Sequence, residues 1–229
     1  MSDFQMMETY PTIASLPTVA PVFPLTGAIL LPRVNLPLNI FEPRYLTMVD
    51  YALAGNRLIT MVQPSRDAGE AESPEGPVAV RDTGAIGRIT AFQETDDSRI
   101  IISLTGICRC AIKGEQDTPH PFRMFDLDFA PFCADLEDGA GANMVDRDHL
   151  LSVLKAYLVA NDLQADWDAI GTSSTEYLVN TLAMISPYGV EEKQALLEAD
   201  DLKMRADVLV ALAEMELAAG GSEPGTTLQ

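Results

Sequence analysis

Three features of the chain predict an α+β fold: an N-terminal β-rich pseudo-barrel with one packed helix, followed by a C-terminal α-helical bundle. Up to Phe132 the apolar residues alternate or run in short β-branched stretches, whereas after residue 145 they recur about every 3.6 residues. Prolines and glycines also cut the first half into strand-length pieces.

The stretch Pro21 to Leu53, PVFPLTGAILLPRVNLPLNIFEPRYLTMVDYAL, reads as strand, loop, strand and helix. Each proline falls where a missing N–H is tolerated: Pro24 and Pro37 near strand ends, Pro32 in the connecting loop, and Pro43 at the first helical position. The helix should run to Ala54 with Tyr45, Met48, Val49, Ala52 and Leu53 on the face that packs on the sheet, and with Gly55 at its C-terminal end. Arg57 to Gln63, Ser98 to Leu104 and Phe122 to Phe129 supply further strands. Residues 64–77 are acidic and rich in Gly, Pro and Ser, which predicts a mobile surface loop.

In the second half, Asp146 is placed to cap a helix carrying Leu150, Leu151, Leu154, Tyr157 and Leu158. Ser173 with Glu176 has the spacing of a capping box. Ser186-Pro187 offers another cap with a first-position proline, and Asp200 should open a last helix with Leu202, Ala206, Leu209 and Ala213 on one stripe. The expected organisation is a flexible arm over 1–18, the β-rich subdomain over 19–133, a linker over 134–145, the helical bundle over 146–218 and a flexible tail over 219–229.

The chain has 229 residues, 47% of them hydrophobic, enough to bury a sizeable core. Its 34 acidic against 15 basic residues give a net charge of −19, which argues against nucleic acid and anionic lipid as partners. The N-terminus shows no signal-peptide pattern, and no segment reaches the roughly 18 apolar residues of a membrane span, so a cytoplasmic protein is expected. The 3 cysteines cannot all pair, in keeping with a reducing compartment.

Motifs for chemistry are missing. Lys113, Lys155, Lys193 and Lys203 each follow a residue other than glycine, so the Gly-Lys pair of a P-loop cannot be written. Neither His120 nor His149 lies in an HExxH, and there is no G-x-S-x-G elbow. No catalytic residue and no cofactor are expected. Cys108 and Cys110 share a strand face, but a metal site needs three or four ligands, so they read as small buried apolar side chains. His120 and His149 read as surface residues, and Glu191 and Glu192 as carboxylates placed at a helix N-terminus.

The segment Gly27 to Asn35 is apolar where loops are usually polar. Its Ile29, Leu30, Leu31 and Val34, with Arg33, either tuck under the sheet or form an exposed patch that accepts apolar side chains of a partner. Glu42 and Arg44 flank Pro43 and either orient a bound chain by charge-assisted hydrogen bonds or form a local pair. These seven residues are the candidate polypeptide-binding positions.

The opening stretch resembles the start of the Lon protease N-terminal (substrate-binding) domain, in which FPL, LP and FEPRY-like segments occur in this order. Val80 to Phe92 with Asp97 to Lys113, and Pro121 to Phe129, are similar to the family's sheet strands. Ser186 to Glu216, with a KQ-x-LLE segment before a helix carrying an arginine, is similar to its helical ending. The resemblance covers Val19 to Leu217, and the chain stops where the ATPase and protease domains would begin. It implies a stand-alone, non-enzymatic binding module for unfolded or degron-bearing polypeptide, acting ATP-independently, with a separate protease as a further partner. The other reading is a structural or regulatory docking module for one folded partner, including its own copy as a homo-oligomer.

Overall fold

Six strands and six helices follow in chain order among the residues described by the computed structural model, which are 10–65, 78–96 and 99–220. The strands are β1 (Val19–Pro24), β2 (Asn35–Ile40), β3 (Leu58–Pro64), β4 (Val80–Glu94), β5 (Ile100–Gln116) and β6 (Arg123–Asp128). The helices are α1 (Pro43–Ala54), α2 (Arg147–Ala160), α3 (Trp167–Thr172), α4 (Thr175–Ile185), α5 (Val190–Glu198) and α6 (Leu202–Gly220). Most of the acidic stretch expected as a loop, and the tail beyond 220, lie outside the described residues.

The strands lie in the order β2-β5-β4-β3-β1-β6, and β6 also pairs with β5. Only β1 and β3 run parallel. The second pairing of β6 closes β1, β3, β4, β5 and β6 into a ring, so β2 is left outside it as an edge strand on β5. The length of β5 makes this possible. Its first residues pair with β2, from Ile100↔Ile40 to Thr105↔Asn35, and its last with β6, from Ala111↔Asp128 to Gln116↔Met124. Irregular registers between β4 and β5 at Ile86/Gly87 and Ile89/Ala91 bend the pair, as bulges do where a sheet curls.

The ring encloses Val22, Leu58, Val62, Ile86, Ile107, Cys108 and Cys110 with Phe125 and Leu127. Tyr10 and Leu16 belong to the same core, and the Arg88 guanidinium donates to the Tyr10 hydroxyl at 2.8 Å. The described part of the expected arm is therefore anchored at Tyr10 and Leu16, whose burial holds it to the core, while residues 11–15 between them are exposed. Helix α1 buries Tyr45, Met48, Val49 and Ala52, as its spacing predicts. Gly55 ends it at φ −113, so the left-handed residue there is Arg57, at φ 64.

The apolar segment 27–34 crosses β5 at Gly106. Arg33 N–H donates to Gly106 C=O at 2.9 Å and Gly106 N–H donates to Val34 C=O at 3.0 Å. A Cβ on Gly106 would lie 2.0 Å from the Leu31 carbonyl oxygen, and one on Gly87 would lie 2.6 Å from the Leu30 side chain. Two backbones approach this closely only where one has no side chain.

Residues 134–145, expected as a linker, are in part a clamp. A 3-10 segment, Ala130–Leu136, carries Asp135 to Arg109 on β5. The guanidinium donates to both carboxylate oxygens at 2.9 and 2.8 Å, and the Arg109 main-chain N–H adds a third bond at 2.9 Å. Arg109 also donates to Leu197 C=O at 3.0 Å and lies over the Phe132 ring.

Contacts divide the described chain into two compact units. One runs to Asp138 and takes in Met184–Glu198; the other is Gly139–Ala183 with Ala199 onward. Helix α5, expected in the bundle, thus belongs to the β unit. Gln194 explains this placement, since it meets buried Gln63 of β3 at 3.0 Å and donates to Thr83 C=O of β4 at 3.3 Å. Arg81 pairs with Glu191, and Leu196 and Leu197 are fully buried.

In the helical unit, Asp146 caps α2 by accepting from His149 N–H at 3.0 Å, as expected. Two other caps sit one residue later than the sequence suggests. Ser174 accepts from Tyr177 N–H at 3.2 Å, while Ser173 ends α3 and Glu176 accepts instead from Gly139 N–H at 2.8 Å. Asp201 caps α6 by accepting from Met204 N–H at 2.7 Å. Pro187 lies before α5, which begins at Val190. The stripe Leu202, Ala206, Leu209 and Ala213 is buried, and Arg205 donates to Asn180 at 2.8 Å.

Two stability experiments follow from this architecture. Gly106→Ala should cost about 3 kcal/mol or more in urea unfolding, because the Leu31 backbone must move, while Gly171→Ala, with open space around it, should be neutral or slightly stabilising. Arg109→Met should cost about 3–5 kcal/mol by leaving Asp135 buried and unpaired, and adding Asp135→Leu should recover much of that loss.

Candidate functional site

The crossing at Gly106 decides the status of the apolar loop. Ile29, Leu30, Leu31 and Val34 are buried, with Leu30 and Leu31 at 0% exposure, so they fill the interior and present no patch to a partner. Arg33 is also buried, at φ 66, and donates to Asp135 C=O at 3.0 Å while pairing with Asp138 at 3.4 Å. Of the two readings left open by the sequence, tucking under the sheet is the one the structure adopts, because the glycines at 87 and 106 make room for it. Glu42 and Arg44 are half-exposed and pair with each other at 2.9 Å. Arg44 also lies over the Tyr45 ring. That is the local pair, worth little in solvent.

Among the described residues, β2 is an edge strand with β5 as its sheet neighbour, so its outer side faces no other strand. Its polarity follows from the crossing. Gly106 N–H bonds Val34 C=O, and antiparallel pairs alternate between bonded and non-bonded positions. Continuing from that pair along the register, Leu36, Leu38 and Ile40 turn their main-chain groups toward β5, and Asn35, Pro37 and Asn39 turn theirs outward. Pro37 fits this parity, since a proline on an edge strand loses only an outward donor. The free edge thus offers three carbonyls, at Asn35, Pro37 and Asn39, and two N–H groups, at Asn35 and Asn39.

Apolar side chains stand beside that edge. Phe41 continues β2 and is 61% exposed, with the Arg99 guanidinium 5.9 Å from its ring centre. Ile101, opposite Asn39, is 43% exposed. By the strand alternation, Phe41 and Ile101 share the face that carries Asn39. Sequence reasoning missed both. Ile101 is hidden within an Ile-Ile-Ile run that shows no period, and Phe41 sits against the helix start; only the register assigns them to the outer face.

The chain is thus an α+β domain with a closed five-stranded ring, an open edge strand and a separate helical unit. It matches the family model for the ATP-dependent protease La (LON) substrate-binding domain over residues 19–213, and belongs to that family. The Lon protease of Desulfosudis oleivorans is 28% identical over 85% of this chain and 23% of its own length. Lon protease 2 of Myxococcus xanthus is 23% identical over 86% of this chain and 24% of its length. The chain therefore spans about a quarter of these relatives. Two solved structures share the fold. The N-terminal domain of Mycobacterium avium complex Lon protease superposes with a TM-score of 0.64 at 18% identity, over 86% of this chain and 98% of that one. A Lon N-terminal domain protein from Xanthomonas campestris gives 0.59 at 20% identity, over 85% and 98%.

The family's KQ-x-LLE segment now has a physical meaning in this chain. Gln194 bonds the sheet, Leu196 and Leu197 enter the core, and buried Lys193 donates to Met184 C=O. Burial holds the Lys193 ammonium below its ordinary pKa. Among the described residues no group of three or more His, Cys, Asp or Glu is placed to hold a metal, and no helix is long and apolar enough to cross a membrane.

Cys108 and Cys110 are buried, and burial first, then the Asp135 carboxylate, pushes both thiols far above their ordinary pKa. Cys133 is exposed. A thiol titration of the native protein at mildly alkaline pH should count one reactive group, rising to all 3 on denaturation.

Proposed function

We propose that the chain is a non-catalytic polypeptide-binding domain that takes up extended, apolar segments of unfolded or degron-bearing proteins by strand addition along β2. The single observation that carries this reading is the outward-facing main-chain row at Asn35, Pro37 and Asn39 beside exposed Phe41 and Ile101. Main-chain hydrogen bonds contribute affinity without reading side chains, and apolar neighbours select the segments that damaged proteins expose. Pro37 interrupts the donors halfway, which limits uncontrolled pairing of the edge with further copies. The net charge of −19 disfavours acidic segments. Delivery of the bound segment to a protease is the use suggested by relatives that are Lon proteases. Capture in a reducing, cytoplasmic setting accords with three free cysteines.

Two edge substitutions test the mechanism without touching the core. Asn39→Pro removes an outward N–H and should weaken binding of an apolar unfolded peptide by about three- to tenfold, while Pro37→Ala adds a donor and should tighten it by a similar factor. N-methylation along the peptide should weaken binding at alternate residues only. Phe41→Ser with Ile101→Ser should reduce affinity while leaving the thermal midpoint nearly unchanged. Equal tolerance of N-methylation at every residue, or binding confined to one folded protein, would replace strand addition with the docking-module reading.

A further inference from the structure

A groove of about 230 Å³ lies between α2 and α6 in the helical unit, away from the β2 edge in sequence and within a different compact unit. Its floor is apolar: Leu150 and Ala206 are buried, and Val210 is half-buried beside them. Its rim is acidic. Asp146 and Asp207 line it, and Glu214 faces His149 across the two helices, with Oε1 3.8 Å from Nε2. Asp207 is held by Lys203 from its own helix, and Asp146 by the α2 N-terminus. Each rim carboxylate therefore has a weak, solvent-exposed partner that an incoming cation can displace or share.

We infer that this groove is a second docking surface, for a cationic amphipathic helix of another protein that lays apolar side chains on Val145, Val210 and Ala211, above buried Leu150 and Ala206, and presents Lys or Arg to Asp207 and Glu214. Charge complementarity selects this occupant. An acidic or neutral helix would meet three carboxylates and the field of a chain carrying −19, whereas a basic one gains at both. Long basic side chains suit the shape because their aliphatic stems lie along an apolar floor while the charged ends reach the rim. Asp207 and Glu214 lie seven residues apart on α6, so cations about two turns apart on one partner helix can meet both, the geometry of helix-in-groove recognition. The inference is independent of strand addition at β2, and either can fail without the other.

The test uses the full chain, isotopically labelled, titrated with a synthetic amphipathic Leu-Lys helix and with its Lys→Gln counterpart. The expected result is that the cationic peptide perturbs amides of residues 145–150 and 206–214, and that the uncharged peptide does so at least tenfold more weakly. Asp207→Asn with Glu214→Gln should weaken binding about fivefold or more. A charge-matched pair in the β unit, Glu94→Gln with Asp117→Asn, should change it less than twofold. All four carboxylates are exposed, so both variants should fold, with unchanged thermal midpoints as the check. Equal losses in the two variants would reduce the effect to net charge and overturn the assignment, as would perturbations centred outside the groove or no binding of the cationic peptide.

Discussion

The β unit depends on one buried cation. Arg109 lies on β5, on the strand face opposite Cys108 and Cys110, and burying it alone would cost several kcal/mol. Every part of the guanidinium is therefore engaged: Asp135 takes two of its donors, Leu197 C=O takes another, and Phe132 stacks on its plane. Meeting those demands draws two sequence-distant pieces onto the sheet. The 3-10 segment Ala130–Leu136 comes from beyond the last strand, and helix α5 comes from roughly sixty residues later still. Arg33 reinforces the same clamp from the opposite direction along the chain, gripping Asp135 C=O and Asp138. A single polar requirement thus fixes the boundaries of the β unit, and they do not coincide with the change from strands to helices.

The second constraint is steric. The chain between β1 and β2 passes over β5 so closely that Gly106 and Gly87 cannot carry side chains. This crossing buries the apolar loop, and it also sets the parity of β2. Because Val34 and Gly106 are bonded, the outward row of the edge begins at Asn35, and Pro37 falls where its missing donor leaves the ladder with β5 intact. The same approach that buries Ile29, Leu30 and Leu31 therefore also fixes which main-chain groups of the neighbouring strand face outward. Exposure has moved a few residues along the chain, from the loop to Phe41 and, across the ladder, Ile101.

Charge plays a different part in the two units. Around the ring, the acidic and basic groups that matter for structure are partnered: Arg109 with Asp135, Arg81 with Glu191, and Arg123 with Glu115, whose carboxyl the Arg123 hydrogen bond holds below its usual range. In the helical unit Asp207 and Glu214 on α6 are exposed and their partners, Lys203 and His149, are exposed too, so these pairs are screened by solvent and contribute little.

Local signals in the sequence were enough to determine much of this protein. The strand periods, the helix at Pro43 with its buried Tyr45, Met48, Val49 and Ala52, the cap at Asp146, the stripe on α6 and the family resemblance each rest on residues close together in the chain, whose spacing records the face they bury. Caps near Ser173, Pro187 and Asp200 were misplaced by one to three residues, because several adjacent residues could satisfy the same terminal N–H groups and packing chose among them. Only the tertiary structure decided the rest. Whether an apolar loop is buried depends on a glycine seventy residues away; whether Ile101 in a run of isoleucines faces out depends on the register with β2; and α5 joins the β unit because Gln63 and Arg109 need its polar groups. Each is a contact between distant residues, and composition and period carry no information about which distant residues meet.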